Sequence, residues 1–173
     1  MTQGLFYTFF HTIAGWVGVL ASVEGLKRVT LPQGSEDTAF RQLNGLQEAT
    51  SSPARFTDLA ARLRRYYEGH QVALTDKLDL SGATLFQESV WLTVGLIPYG
   101  QTRSYGWIAG QIGNPGAARA VGQALGSNPL PVIIPCHRVL TADGGVGGFS
   151  GGLEMKRFLL GLERGLSVRD QSL

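Results

Sequence analysis

The apolar positions fall into two kinds of pattern. Leu5 to Phe10 and Trp16 to Ser22 are short runs rich in aromatic and β-branched residues, and they read as strands. Glu24-Gly25 signals a turn before Leu26 to Leu31, which stops at Pro32, so the start of the chain is expected to build a small antiparallel sheet. The period then changes. Ser35 is placed to cap a helix through about Leu43. Ser52-Pro53 offers an N-cap followed by proline at the first helical position, and Phe56, Leu59, Ala60, Leu63 and Tyr67 then recur at helical spacing. Residues 70–82 read as a connector. Thr84, with Gln87 three residues on, has capping-box spacing. Phe86, Val90, Thr93, Val94 and Ile97 then form the buried stripe of a helix that stops before Pro98-Tyr99-Gly100. A domain boundary is expected near residues 78–83, giving domains 1–80 and 81–173.

The second half predicts a helix-turn-helix. Ser104 caps a first helix to about Ile112. Gly113-Asn114-Pro115 makes the turn, with Asn114 as cap and Pro115 at the first helical position, and a second helix runs to about Leu125. That second helix carries Ala117, Ala118, Ala120 and Gly122, with Arg119 as its one long cation. Such a surface lets backbone approach a duplex closely and suits a narrow minor groove. The same small residues suit tight helix packing, and both uses are open on different faces. Ser127-Asn128-Pro129 turns into the apolar run Leu130–Ile134, expected to be a strand. Asp143-Gly144-Gly145 is a turn, residues 147–152 form a glycine-rich loop, and a last helix spans about Leu153 to Glu163, with Met155, Phe158, Leu159 and Leu162 facing in. Glu163 falls on its final turn, where the helix dipole disfavours an anion, so a partner for it is expected. The fold class is α+β: a small N-terminal antiparallel-sheet and helix domain, then a mostly helical winged helix-turn-helix domain.

Composition adds little until it is mapped. The 173 residues are 43% hydrophobic and 16% charged with a net charge of +2, so no global basic field is present. Between Glu88 and Asp143, however, there is no carboxylate, only Arg103, Arg119 and Arg138. A stretch of that kind fits a surface lying against phosphates, and fits a Gly/Ala-rich core equally. The single cysteine excludes an internal disulfide and any multi-thiolate zinc site, and fits a reducing compartment. His11, His70 and His137 are scattered, so no metal site is expected. No apolar run reaches the roughly 18 residues a membrane span needs, and Met1 to Phe10 lacks a basic leader region. A cytoplasmic protein is expected.

That cysteine, Cys136, stands directly behind the apolar run, bracketed by Pro131 and Pro135 and followed by His137 and Arg138. A lone cysteine is ordinarily a small hydrophobe. Here a titratable base and a permanent cation stand beside it, and both favour thiolate, the nucleophilic form. On a regular strand Cys136 and His137 would point to opposite faces. Either Pro135 ends the strand and the tetrad is a turn or short helix, or the two side chains communicate through water; a turn with a bridging water is favoured.

With its surroundings this tetrad resembles the O6-alkylguanine-DNA alkyltransferases, also called methylated-DNA–protein-cysteine methyltransferases. The matching stretches are Tyr99–Tyr105, Gly113–Gly122, Ser127-Asn128-Pro129, Pro135-Cys136-His137-Arg138-Val139 and Phe149-Ser150-Gly151-Gly152, in family order from about Phe86 to Glu163. The resemblance implies irreversible, single-turnover transfer of an alkyl group from O6-alkylguanine, and O4-alkylthymine, in double-stranded DNA to Cys136. The nucleotide is first flipped out from the minor-groove side. Glu163 would orient His137, which deprotonates Cys136 through a water, and Asn128 would hold the turn bearing the recognition helix. Tyr105, Val139, Phe149 and Ser150 would form the substrate pocket. Arg119 would fill the gap left in the stack, and Ser104, Ala118 and Gly122 would meet the DNA backbone. Arg138 would brace the active-site segment.

The resemblance further implies a ribonuclease H-like first domain, a monomer, and no cofactor. Some relatives carry zinc in that domain, and its ligands are missing here. One position departs from the pattern: the family's tyrosine is Phe149, which keeps a ring face and removes a hydroxyl donor. Three other classes are weighed. A non-catalytic lesion binder leaves Cys136 unexplained. A winged-helix regulator explains Arg119 but not the tetrad, and a thiol hydrolase has no use for the carboxylate-free helix pair.

Overall fold

The computed structural model describes residues 4–171; the outermost ends of the two expected domains lie outside them. The chain divides into two compact units, Met1–Leu80 and Ser81–Leu173. Among the described residues no helix is long and apolar enough to cross a membrane.

The first unit is a four-stranded sheet with two helices. Strands β1 (Leu5–Thr12), β2 (Gly15–Ala21) and β3 (Leu26–Val29) pair antiparallel in succession, as the pattern predicts. A fourth strand, β4 (Ala49–Ser51), adds to β1 in parallel, giving the order β3-β2-β1-β4. The sheet is therefore mixed rather than purely antiparallel; three residues with two exposed side chains leave no apolar pattern to announce that edge. β2 is buried from Val17 to Ala21 because it is an inner strand. Helix α1 (Glu36–Leu43) packs on β2 and is capped by the Ser35 side chain, which accepts from Thr38 N. Ser52-Pro53 opens a 3-10 turn, Pro53–Phe56, and not the helix itself; α2 (Thr57–Tyr67) comes after it, and the Ser52 side chain makes no cap bond. Leu59, Leu63, Tyr66 and Tyr67 fill the core beneath. Gly25, at φ +157, lets the connector approach: a Cβ there would lie 2.4 Å from the Lys77 carbonyl. Asp79 closes this seam, accepting from Ser22 Oγ (2.5 Å) and Lys27 Nζ (3.0 Å).

The second unit is mostly helical. Helix α3 (Leu85–Gly95) begins with the full Thr84/Gln87 capping box. It buries Val90, Trp91 and Val94, while Phe86 and Thr93 are only half-buried. Trp91 Nε1 donates to the Ala124 carbonyl at 2.8 Å, tying α3 to the later helix Ala118–Gly126. Helix α4 (Tyr105–Gln111) is capped by Ser104, whose Oγ accepts from Trp107 N. Its partner in the pair, α5 (Ala118–Gly126), starts later than expected. Asn114-Pro115-Gly116-Ala117 forms its own turn, closed by Ala117 N to the Asn114 carbonyl at 3.0 Å, and Ala118 is the first helical residue. Helix α6 spans Leu153–Glu163 as predicted, with Met155 half-buried and Phe158, Leu159 and Leu162 in the core. Two-residue strands β5 (Arg103–Ser104) and β6 (Val139–Leu140) pair in parallel.

The run Leu130–Ile134 is not a strand. Ile134 N donates to the Leu130 carbonyl at 2.8 Å, and Val132 takes φ +73. Asn128 imposes this bend: its Oδ1 accepts from Leu130 N and its Nδ2 donates to the Ile134 carbonyl, both at 2.9 Å. Hydrophobicity buries the run, and the asparagine denies it an extended path.

Candidate active site

Pro135 ends that turn and Cys136–Arg138 form one 3-10 turn, so neighbouring side chains diverge as the short-helix alternative requires. His137 is fully buried, and its Nε2 lies 2.7 Å from Glu163 Oε1. Glu163 also accepts from Arg138, through Nε to Oε2 at 2.9 Å and Nη2 to Oε1 at 2.8 Å, and from Gly100 N at 3.1 Å. Arg138 Nη1 donates in turn to the Ile97 carbonyl at 2.6 Å. The anion at the end of α6 thus has its partners. Burial alone would raise the Glu163 carboxyl; the hydrogen bonds and charges of His137 and Arg138 overcome burial and hold it well below the usual carboxylate range.

This ionisation assigns the histidine tautomer. A carboxylate only accepts, so Nε2 carries the proton and Nδ1 is the basic nitrogen. Burial, assisted by the charges of Arg138 and Lys156, lowers the imidazole pKa against the pull of Glu163, keeping the ring neutral at neutral pH. The Cys136 thiol is pushed up by burial. Asn128's side chain, the Lys156 charge and the amides of Cys136 and His137 pull it back. The site is a poised thiol beside a neutral base, not a standing thiolate.

Cys136 lies on the wall of a cavity of about 480 Å³. The other walls come from Tyr105 on α4, from Ala118, Arg119, Gly122 and Gln123 on α5, and from Thr141 and Gly147–Ser150. The opening pairs a helix of small residues with a glycine-rich loop. Arg119 is exposed at the first turn of α5. Of the expected pocket residues, Tyr105, Phe149 and Ser150 line it. Val139 does not: its side chain is fully buried, and its carbonyl accepts from Lys156. Ser104 also stands off the cavity, with its oxygen committed to the cap of α4.

Lys156 is the site residue that pattern reading passes over. It is fully buried on α6, and its Nζ donates to the Val139 carbonyl (2.7 Å) and the Gly148 carbonyl (3.3 Å) and lies 3.5 Å from Tyr105 Oη. The ammonium sits 5.7 Å and 6.0 Å from the ring centroids of Tyr105 and Phe149. Burial lowers its pKa to about 8. Glu163 stands seven positions further on, so the two share a helix face; a chain suspected of needing Glu163 inside pointed to Lys156 by that spacing. Among the described residues no group of three His, Cys, Asp or Glu side chains gathers as a metal set.

Residues 85–165, which build this site, match the family model described as 6-O-methylguanine DNA methyltransferase, DNA binding domain. The chain is 48% identical over 145 residues to the methylated-DNA–protein-cysteine methyltransferase of Mycobacterium bovis, covering 81% of this chain and 87% of that one. It is 38% identical over 159 residues to the protein of the same name from Methanosarcina acetivorans, covering 92% and 98%. The fold superposes on the crystal structure of Mycobacterium tuberculosis OGT in complex with DNA with a TM-score of 0.80 and 39% identity, covering 95% and 96% of the two chains.

Proposed function

Because the chain belongs to the methylated-DNA–protein-cysteine methyltransferase family, we propose that it repairs duplex DNA by moving the alkyl group of O6-alkylguanine, and of O4-alkylthymine, onto Cys136, once per molecule. The observation that carries this reading is the relay Glu163–His137 beside Cys136 at the wall of the α5 pocket. Glu163 holds the Nε2 proton, and Nδ1 takes the thiol proton, through a bridging water. The sulfur then attacks the alkyl carbon in line. A carbon–sulfur bond forms, the carbon–oxygen bond breaks, and its electron pair leaves on the base, which takes up a proton. The product thioether is unactivated and the site holds no group able to cleave it, so one molecule serves one lesion.

The reacting oxygen of a paired base lies inside the duplex, so the nucleotide is rotated out at a cost of a few kcal/mol. The small-residue face of α5 enters the minor groove, and Arg119 occupies the vacated stack. Tyr105 presses on the neighbouring phosphate, and Ser104, whose oxygen accepts from Trp107 N, still has its own proton to donate to the backbone. Asn128 keeps the bend that aims Cys136, and Arg138 braces the segment through Glu163 and Ile97. Phe149 stacks on the flipped base and offers its oxygen no hydroxyl, one donor fewer than a tyrosine there would provide. Residues 81–173 bind DNA and perform the transfer, while residues 1–80 form the ribonuclease H-like domain. The protein acts as a monomer in the cytoplasm without a cofactor.

The test is intact mass after incubation with duplex containing O6-methylguanine. One methyl per chain, mapped to Cys136 and absent in Cys136→Ser while DNA binding persists, is the expected result. Methylation elsewhere, or repeated turnover, overturns the reading.

A further inference from the structure

We infer that Asp143 sets a negative charge at the rim of the transfer pocket that opposes the phosphates of bound duplex and weakens the protein's hold on DNA. The inference rests on the DNA-facing role proposed for the pocket. Asp143 is the one carboxylate between Glu88 and Glu154 in the sequence, so its position is singular within the stretch that builds the pocket and the helix pair. Its side chain is tethered. Oδ1 accepts from Thr141 Oγ1 at 2.5 Å and from Gly145 N at 3.0 Å, and Thr141 Oγ1 also lies 2.9 Å from the Gly145 carbonyl.

The turn is tight: a Cβ on Gly145 would fall 2.7 Å from Thr141 Oγ1 and push that side chain aside. Thr141 itself lines the pocket together with Arg119 and Gly122 of α5. The carboxylate therefore stands one hydrogen bond from the wall that receives a flipped nucleotide, and it is exposed to solvent. The bonds from Thr141 and Gly145 hold its pKa below the ordinary value, so the charge persists through the neutral range. Its bonded partners are this hydroxyl and this amide, and among the described residues no cation pairs with it. A duplex seated on α5 brings the phosphates flanking the extruded base past this rim, where like charges about 7 Å apart in water correspond to roughly a threefold change in affinity.

The turn and the charge separate by substitution, since asparagine keeps the accepting oxygen and drops the charge. Asp143→Asn should bind an undamaged 20-mer duplex about threefold more tightly than the parent at low salt, by fluorescence anisotropy. The gap should close as salt rises and screening shortens the interaction. Asp143→Ser, a second neutral variant, should tighten binding likewise. Glu48→Gln makes the same change in net charge at an exposed site of the first unit and should bind as the parent does. Unchanged or weaker binding by both Asp143 variants, or equal tightening by Glu48→Gln, overturns the inference. The parent's methyl uptake on Cys136 is read on the same preparations. A parent that takes up no methyl sinks the proposed function; a parent that takes it up, beside Asp143 variants that bind no more tightly, sinks this inference alone.

Discussion

The two units handle charge in opposite ways. In the first, apart from the part-buried Lys27–Asp79 pair, ion pairs lie at or near the surface: Arg62 with Asp58 and Asp76, Arg41 with Asp37, Lys77 with Glu24. Its buried carboxylate, Asp79, pins the connector to the sheet. In the second, His137, Arg138, Lys156 and Glu163 are all inside, beneath a single pocket. Interior charges cost more in lost hydration than well-packed apolar residues would, and they stabilise only as complete sets. A fold seeking stability alone would resemble the first unit. The second departs from that economy around the thiol of Cys136, within the residues 85–165 that match the family model.

The sharpest way to break this contrast is to remove the shared anion. Glu163→Gln leaves Arg138 buried against a neutral amide and frees the His137 tautomer. Urea unfolding should show a loss of about 3–5 kcal/mol, and single-turnover methyl transfer should fall on the order of a hundredfold, the scale of a lost general base. Asp79→Asn, the matching change in the first unit, should cost about 1–2 kcal/mol and leave the transfer rate alone. Equal damage to transfer from both variants would erase the distinction.

Lys156→Met should come next in size. Transfer at neutral pH should drop severalfold, since the ammonium's charge pulls the thiol toward thiolate, while stability changes little because an apolar isostere replaces a buried charge. The pH dependence gives an independent readout. Burial lowers the Lys156 pKa to about 8 from 10.5, so between those values the unfolded chain binds the proton and the folded one does not. The parent should therefore gain stability as pH rises through that window, relative to Lys156→Met. A constant difference between the two across the window would show that the ammonium is not buried in solution.

Phe149→Tyr probes the pocket wall rather than the buried network. The restored hydroxyl can donate to the leaving oxygen in a dry site while the ring still stacks, so rapid-quench kinetics should show a several-fold faster transfer with DNA affinity unchanged. A rate no faster than the parent's would mean that backbone near Ser150 and the Tyr105 hydroxyl already supply the donors. The smallest effect belongs to the first unit: Arg62→Ala should cost about 1 kcal/mol or less in thermal unfolding, with no change in methyl uptake.

Local chemistry is the legible part of this chain. Ser35, Thr84 and Ser104 cap the helices they are expected to cap, because a side chain bonding a backbone amide three residues away is written within a few positions. The limits of α6 also match although no side chain caps it, and Cys136–Arg138 form the turn or short helix that is one of the expected alternatives. The features that escape depend on distant partners. The run Leu130–Ile134 has a strand's composition but meets no sheet, and Asn128 bends it. Pro115 and Pro53 each open a turn that precedes a helix, since a proline permits a first helical position without deciding whether the next residues bond as a turn or as a helix. Lys156 looks like one more polar residue on an amphipathic helix; only the return of the Val139–Gly148 segment over it makes it interior. Glu163 is suspect from its unfavourable place on the dipole, yet its bond to Arg138 as well as His137 needs three dimensions.

The turn before Cys136 is under load. Val132 sits at φ +73, a conformation that sterics make rare for a β-branched residue and that costs about 1–3 kcal/mol. It stays there because the Asn128 amide grips the chain on both sides of it, at Leu130 and Ile134. The sulfur four residues on is therefore aimed by a balance of forces, like a catch held against a spring. Release of that catch, as in Asn128→Ala, should let the valine relax toward an extended path and carry the sulfur with it on the timescale of loop motion, short of unfolding the domain.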